Sequence, residues 1–257
     1  MTLRSPELSK LPLPPKSLRV WVGPFSDPDL FERSGDEMVR SIVGLCGFSP
    51  DARILEVGCG CGRLTRAFAG YLDPAGSYEG FDVAPPLVDW CKQHLEPLLP
   101  NFRFSLSDVR APGYNCTGVV AASAYNFPYA RDEFDAAVLS SVFTHMLADE
   151  IENYVAQLAR VLKPEAPVFI TVLLFDDEAE RAVAQGAAAF DFRHPVGPCM
   201  TFDRNRPREG IACPQAWLTE VLRRDDFAIR SIQRGNWRQV RSCEVSHDVV
   251  FATRRRA

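Results

Sequence analysis

Leu30, Phe31, Met38, Val39, Ile42, Val43 and Leu45 return at spacings of three and four, which predicts an amphipathic helix over residues 29–45. Further along, the apolar positions fall into short runs at 53–57, 77–82, 102–106, 134–140 and 166–174, the length of buried strands. Helical spacing fills the segments between them at 63–72, 85–98 and 148–162. A helix near 214–225 and apolar strands near 227–233 and 245–253 close the pattern. Such alternation predicts an α/β fold: a doubly wound sheet, mostly parallel with an antiparallel last strand, and helices on both faces. Two stretches break the rhythm. Residues 1–20 carry Pro6, Pro12, Pro14 and Pro15 and read as an extended arm. Residues 175–213 hold a possible helix at 177–189 and then a Pro- and Arg-rich run, which reads as a lid-like insertion in one domain spanning 21–257.

On a sheet of this kind ligands bind beyond the carboxyl ends of the strands, so the residues at those ends decide the chemistry. The first strand runs into Glu56-Val57-Gly58-Cys59-Gly60-Cys61-Gly62. Alternating glycines let main chain approach a ligand closely, and the helix that follows turns its free amides toward it. A dinucleotide fingerprint would need a small residue where Arg63 stands, and Glu56 would repel a diphosphate. A nicotinamide-dependent oxidoreductase is therefore the weaker alternative. A P-loop is excluded because no Gly-Lys-Ser/Thr follows. A ligand bearing an ammonium group would instead be welcomed by Glu56. Asp82, closing the second strand with Val83 after it, is placed to accept ribose hydroxyls. Asp108 and the amide of Val109, after the third strand, are placed for an adenine ring. Each Asp alone would be an ordinary cap or turn residue. Three acids at three successive strand ends make a site.

These runs, Ile54–Gly62, Tyr78–Asp82 and Ser105–Val109, resemble the motifs of the class I S-adenosylmethionine (SAM)-dependent methyltransferases, a Rossmann-like superfamily. Phe134–Ser141 resembles that superfamily's fourth strand, and Leu158–Pro164 the helix end before its fifth. The resemblance covers about residues 50–175. It implies SAM as cofactor, held by Glu56, Gly58, Cys59, Gly60, Gly62, Asp82, Val83, Asp108, Val109 and Ser141. It also implies methyl transfer to an oxygen or nitrogen of a small, apolar or aromatic molecule, or else a non-catalytic SAM-binding protein. The chain departs from the motifs at Glu165-Ala166, where a glycine pair is usual.

Methyl transfer asks the protein mainly to position two reactants, but a hydroxyl acceptor gains from a base titrating near neutrality. His145, in Ser140–Met146 just past the fourth strand, is the candidate, with a packing role as the alternative. His194 is a weaker candidate, and His94 and His247 read as structural. A net charge of −4 offers no field for a nucleic acid, so none is expected. No apolar run reaches membrane-spanning length and no secretory signal opens the sequence, which predicts a cytoplasmic protein. The eight cysteines are then expected to be thiols, and with no Cys-x-x-Cys pair no metal site is expected.

Overall fold

A computed structural model describes residues 11–239 and 245–256. The chain divides into two compact units, one reaching to Val120 and including Phe134–Val138, the other made of Ala121–Glu133 and Leu139 onward.

In the first unit residues 11–15 of the expected extended arm carry no helix or strand, and a short helix α1 (Lys16–Arg19) and a 3₁₀ turn (Val20–Val22) follow where the arm was expected to continue. The correction has a simple cause. Pro15 takes the N-cap position, and a proline there leaves the turn that follows free to coil. Helix α2 (Pro28–Cys46) matches its apolar spacing and is bounded by chemistry at each end. Asp27 accepts the amides of Asp29 and Leu30 at 2.7 and 3.3 Å, and Gly47 takes the left-handed conformation past the last turn. Strand β1 (Arg53–Val57), helix α3 (Arg63–Phe68), strand β2 (Ser77–Asp82), helix α4 (Pro85–His94) and strand β3 (Phe102–Leu106) follow as βα units. Residues 95–98, expected to extend α4, form a separate 3₁₀ turn because Pro97 cannot continue the ladder. β1 pairs parallel with β2, Glu56 opposite Gly80, and β2 parallel with β3. Strand β4 (Ala136–Leu139) is wholly buried.

The second unit contains helix α5 (Ala148–Val161) and strand β5 (Pro167–Val172), whose six residues are all buried. The chain then forms strand β6 (Leu174–Phe175) and helix α6 (Asp177–Ala184), the latter within the helix expected at 177–189, and the Pro- and Arg-rich run that follows contains strands β7 (His194–Val196), β8 (Cys199–Thr201) and β9 (Ile211–Pro214). These strands make a small sheet in the order β6-β9-β8-β7. Around it Phe192 and Trp237 are buried, with Phe190 and Phe202 packed against them. Helix α7 (Gln215–Arg224) and strands β10 (Phe227–Gln233) and β11 (Asp248–Arg254) end the described chain. β11 runs antiparallel to both β5 and β10, as the sequence predicts for the last strand. Within the second unit the strands of the main sheet run in the order β10-β11-β5, and within the first β1-β2-β3. No described helix is long and apolar enough to cross a membrane.

Candidate functional site

The turn between β1 and α3 is built from main chain. Gly58, Gly60 and Gly62 all have positive φ, 76°, 55° and 84°. The first two amides past the strand, Gly58 and Cys59, donate to the carbonyl of Phe81 at the end of β2. At Gly60 a Cβ would stand 2.5 Å from Cγ1 of Val22, so the segment before α2 lies directly on this loop. That segment is fastened by two arginines. Arg19 donates to the carbonyls of Pro14, Phe25 and Ser26, and Arg66 of α3 donates to those of Leu11 and Pro12 and to Glu32.

Two acids converge on the loop. Asp82 accepts the amide of Gly60 at 2.8 Å through one oxygen and that of Ala84 at 2.9 Å through the other. Burial pushes its pKa up, opposed by those amides and by that of Val83. Three amides take three of the carboxylate's four lone-pair positions, so one is left to accept a ribose hydroxyl. Glu56 is 2% exposed and accepts from the hydroxyl of Tyr78 at 2.5 Å, which in turn accepts from Thr65 at 2.9 Å. Burial raises its pKa to about 8, against the pull of Tyr78 and Arg63. A carboxylate held against its own ionisation is what an incoming ammonium would stabilise, and the open glycine turn leaves the space a backbone-hugging ligand needs. The residues fit the methionine end and the ribose of SAM.

Beyond β3 the amide of Ser107 donates to the carbonyl of Asp82, which ties this third strand end to the second. Asp108 is exposed, and its carbonyl accepts the amides of Val119 and Val120. Val109 is buried, and its amide already donates to the carbonyl of Ser107 at 2.7 Å. The glycine-turn thiols are buried, and burial drives Cys61 up to about 12 and Cys59 well above its ordinary value. They are neutral packing groups. Among the described residues no three His, Cys, Asp or Glu side chains gather as a metal site.

Ser141 and His145 belong to the second unit. Ser141 has φ 62°, a conformation costly for a residue with a Cβ, and its backbone is held on both sides. Its amide donates to Oγ1 of Thr171 at 2.7 Å and its carbonyl accepts from Oγ1 of Thr144 at 2.9 Å. His145 ends a 3₁₀ turn (Phe143–His145), with Nδ1 2.8 Å from the carbonyl oxygen of Arg208. A carbonyl only accepts, so Nδ1 carries the proton and the basic lone pair lies on Nε2. The guanidinium of Arg208 forms two hydrogen bonds to Glu150, which is 5% exposed and also accepts the amide of Leu147 at the start of α5.

The structure thus brings Glu56, Gly58, Cys59, Gly60, Gly62, Asp82 and Val83 together and continues to Asp108 and Val109. Ser141 and His145 lie in the second unit. Sequence reasoning gave no role to Tyr78 or Arg208 and read His247 as structural. His247 has Nδ1 3.2 Å from Oγ of Ser141. It lies directly before β11, whose first residue Asp248 pairs with Val172 at the end of β5.

An α/β sheet whose strand ends offer a glycine turn and successive acids has the features of a nucleoside-binding domain. Residues 54–165 match the family model described as a methyltransferase domain. The chain is 26% identical over 164 residues to an O-methyltransferase of Penicillium expansum and 24% identical over 157 residues to an O-methyltransferase of Pyrenophora dematioidea. Each match takes in 61% of this chain and 52% of the relative, so the chain spans about half the length of the curated relatives it matches. Its fold is similar to that of the 1,6-didemethyltoxoflavin-N1-methyltransferase of Burkholderia thailandensis, solved with 1,6-didemethyltoxoflavin and S-adenosylhomocysteine. The TM-score is 0.54 at 18% identity, covering 88% of this chain and 79% of that one.

Proposed function

We propose that the protein transfers the methyl group of SAM to an oxygen of a small, apolar or aromatic molecule. The observation that carries this reading is the β1–α3 turn, where three left-handed glycines lie between the buried acids Glu56 and Asp82. Oxygen is favoured over nitrogen because the two O-methyltransferases above are among the relatives it matches. The apolar character of the acceptor is supported by the ring cluster of Phe190, Phe192, Phe202 and Trp237. A cavity of about 460 Å³ lies beside it, lined by Val183, Ala188, Phe190 and Arg193 among others, a volume suited to a small organic ligand. On this reading the 175–213 region is the acceptor-side lid, and His145 is the base that takes the hydroxyl proton through Nε2.

Calorimetric titration with SAM, S-adenosylhomocysteine and NAD tests the assignment. Micromolar binding of the first two is expected, weakened about ten- to hundredfold in Asp82→Asn as a charge-assisted bond is lost. Binding of NAD alone, or of nothing, overturns it. A screen of phenols with labelled SAM then tests the acceptor class.

A further inference from the structure

We propose that Ser141 and His247 form a proton relay for the methyl acceptor. The proposal rests on the reading above that the acceptor atom is a hydroxyl oxygen, and gives its proton a path besides His145. Three observations carry it. The Oγ of Ser141 lies 3.2 Å from Nδ1 of His247, within hydrogen-bond reach across 106 residues of chain. Ser141 is held in a left-handed backbone by Thr171 and Thr144, and a strained, over-determined residue of this kind is characteristic of functional sites. His247 directly precedes β11, whose first residue Asp248 lies opposite Val172, the last residue of β5, so it stands next to the carboxyl end of β5, the ligand edge of such a sheet. A packing histidine at a late strand, the sequence expectation, has no need of that edge.

In the step proposed, Oγ of Ser141 takes the acceptor's hydroxyl proton while passing its own to Nδ1 of His247. The imidazole becomes an imidazolium and later sheds the proton to water. The electron pair left on the acceptor oxygen forms the bond to the methyl carbon. The pair of the broken carbon–sulfur bond stays on sulfur, leaving a neutral thioether. Charge balances, since the positive charge lost from sulfur appears on His247. The charged groups packed around this segment are Asp248, paired with Arg238 at 2.7 Å, and Asp176, which meets Arg234 and Arg238. Asp248 is committed to Arg238, Trp237 and the amides of Leu174 and Gly235, so it does not serve as the partner of the imidazole.

A group that takes the acceptor's proton must lie within reach of the sulfonium charge, and this provides a test that needs no acceptor. The chain has four histidines, whose carbon-13-labelled ring signals can be assigned with single His→Gln variants and titrated by NMR in the full-length protein. Loading with SAM rather than S-adenosylhomocysteine adds one positive charge and a methyl group. The titration midpoint of His247 is expected to fall by about one pH unit or more between the two complexes. In Ser141→Gly, which suits the left-handed backbone, the midpoint in either complex is expected to move from its wild-type value, because the hydroxyl partner is gone. Equal midpoints for His247 in the SAM and S-adenosylhomocysteine complexes overturn the relay and leave the methyltransferase reading standing. Failure of SAM to bind at all overturns both.

Discussion

The carboxyl of Glu56 accepts one phenolic hydrogen bond and is almost out of reach of water, so its proton affinity couples to folding. Its folded pKa of about 8 lies above the ordinary 4.5. Between those values the folded chain holds a proton that the unfolded chain has shed, so this group's contribution to stability is full at the acid end and is lost as pH rises through the folded pKa. Glu56→Gln cannot ionise and escapes that loss. Urea denaturation from about pH 5 to pH 9 should show the wild type losing stability relative to Glu56→Gln across the window and levelling off above it; parallel curves would refute the assignment. Added SAM should reduce the difference, because an ammonium beside Glu56 favours the carboxylate.

One turn of 3₁₀ helix and a short link before β9 set the direction of His145, and both depend on Glu150. That residue fixes the start of α5 through the amide of Leu147 and anchors Arg208, whose carbonyl carries Nδ1 of His145. Arg208→Ala would leave Glu150 buried without its cation. With Arg208 about a quarter exposed, the expected cost is about 1–3 kcal/mol. Adding Glu150→Gln removes the stranded charge, so the double variant should recover part of that loss in denaturant titrations. A double variant less stable than the sum of the two single changes would contradict this account. The same elements show what was legible in the sequence. Strands β1, β2 and β3 fall where apolar runs bounded by acids and glycines predict, because one residue type after another declares its burial. The small sheet was not legible: strands of two to four residues carry no period. Nor was the Arg208 contact, since a carbonyl oxygen is present at every position and side-chain identity does not mark it. Ser141 was expected among the cofactor residues, but its hydrogen bond to His247 depends on strand order and could not be read from spacing.

A ligand at free concentration c that binds only the folded chain raises its stability by RT ln(1 + c/Kd), so the gain grows with the logarithm of ligand concentration over its dissociation constant. At about one hundred times its dissociation constant, SAM should add about 2.7 kcal/mol, which for a chain of this length is a rise in Tm of about 5–10 °C. S-adenosylhomocysteine should do the same and NAD should not; an identical response to all three would show that the shift is not a property of the glycine turn. The fastening of the N-terminal strap over that turn has a further consequence, for the tolerance of the protein to change. Arg19 and Arg66 grip the strap almost entirely by carbonyl oxygens, those of Leu11, Pro12, Pro14, Phe25 and Ser26. Every amino acid supplies the same oxygen. The clasp therefore reads the path of the chain and ignores its spelling, and exposed positions such as Leu13 and Lys16 are free to drift among variants while the two arginines are not.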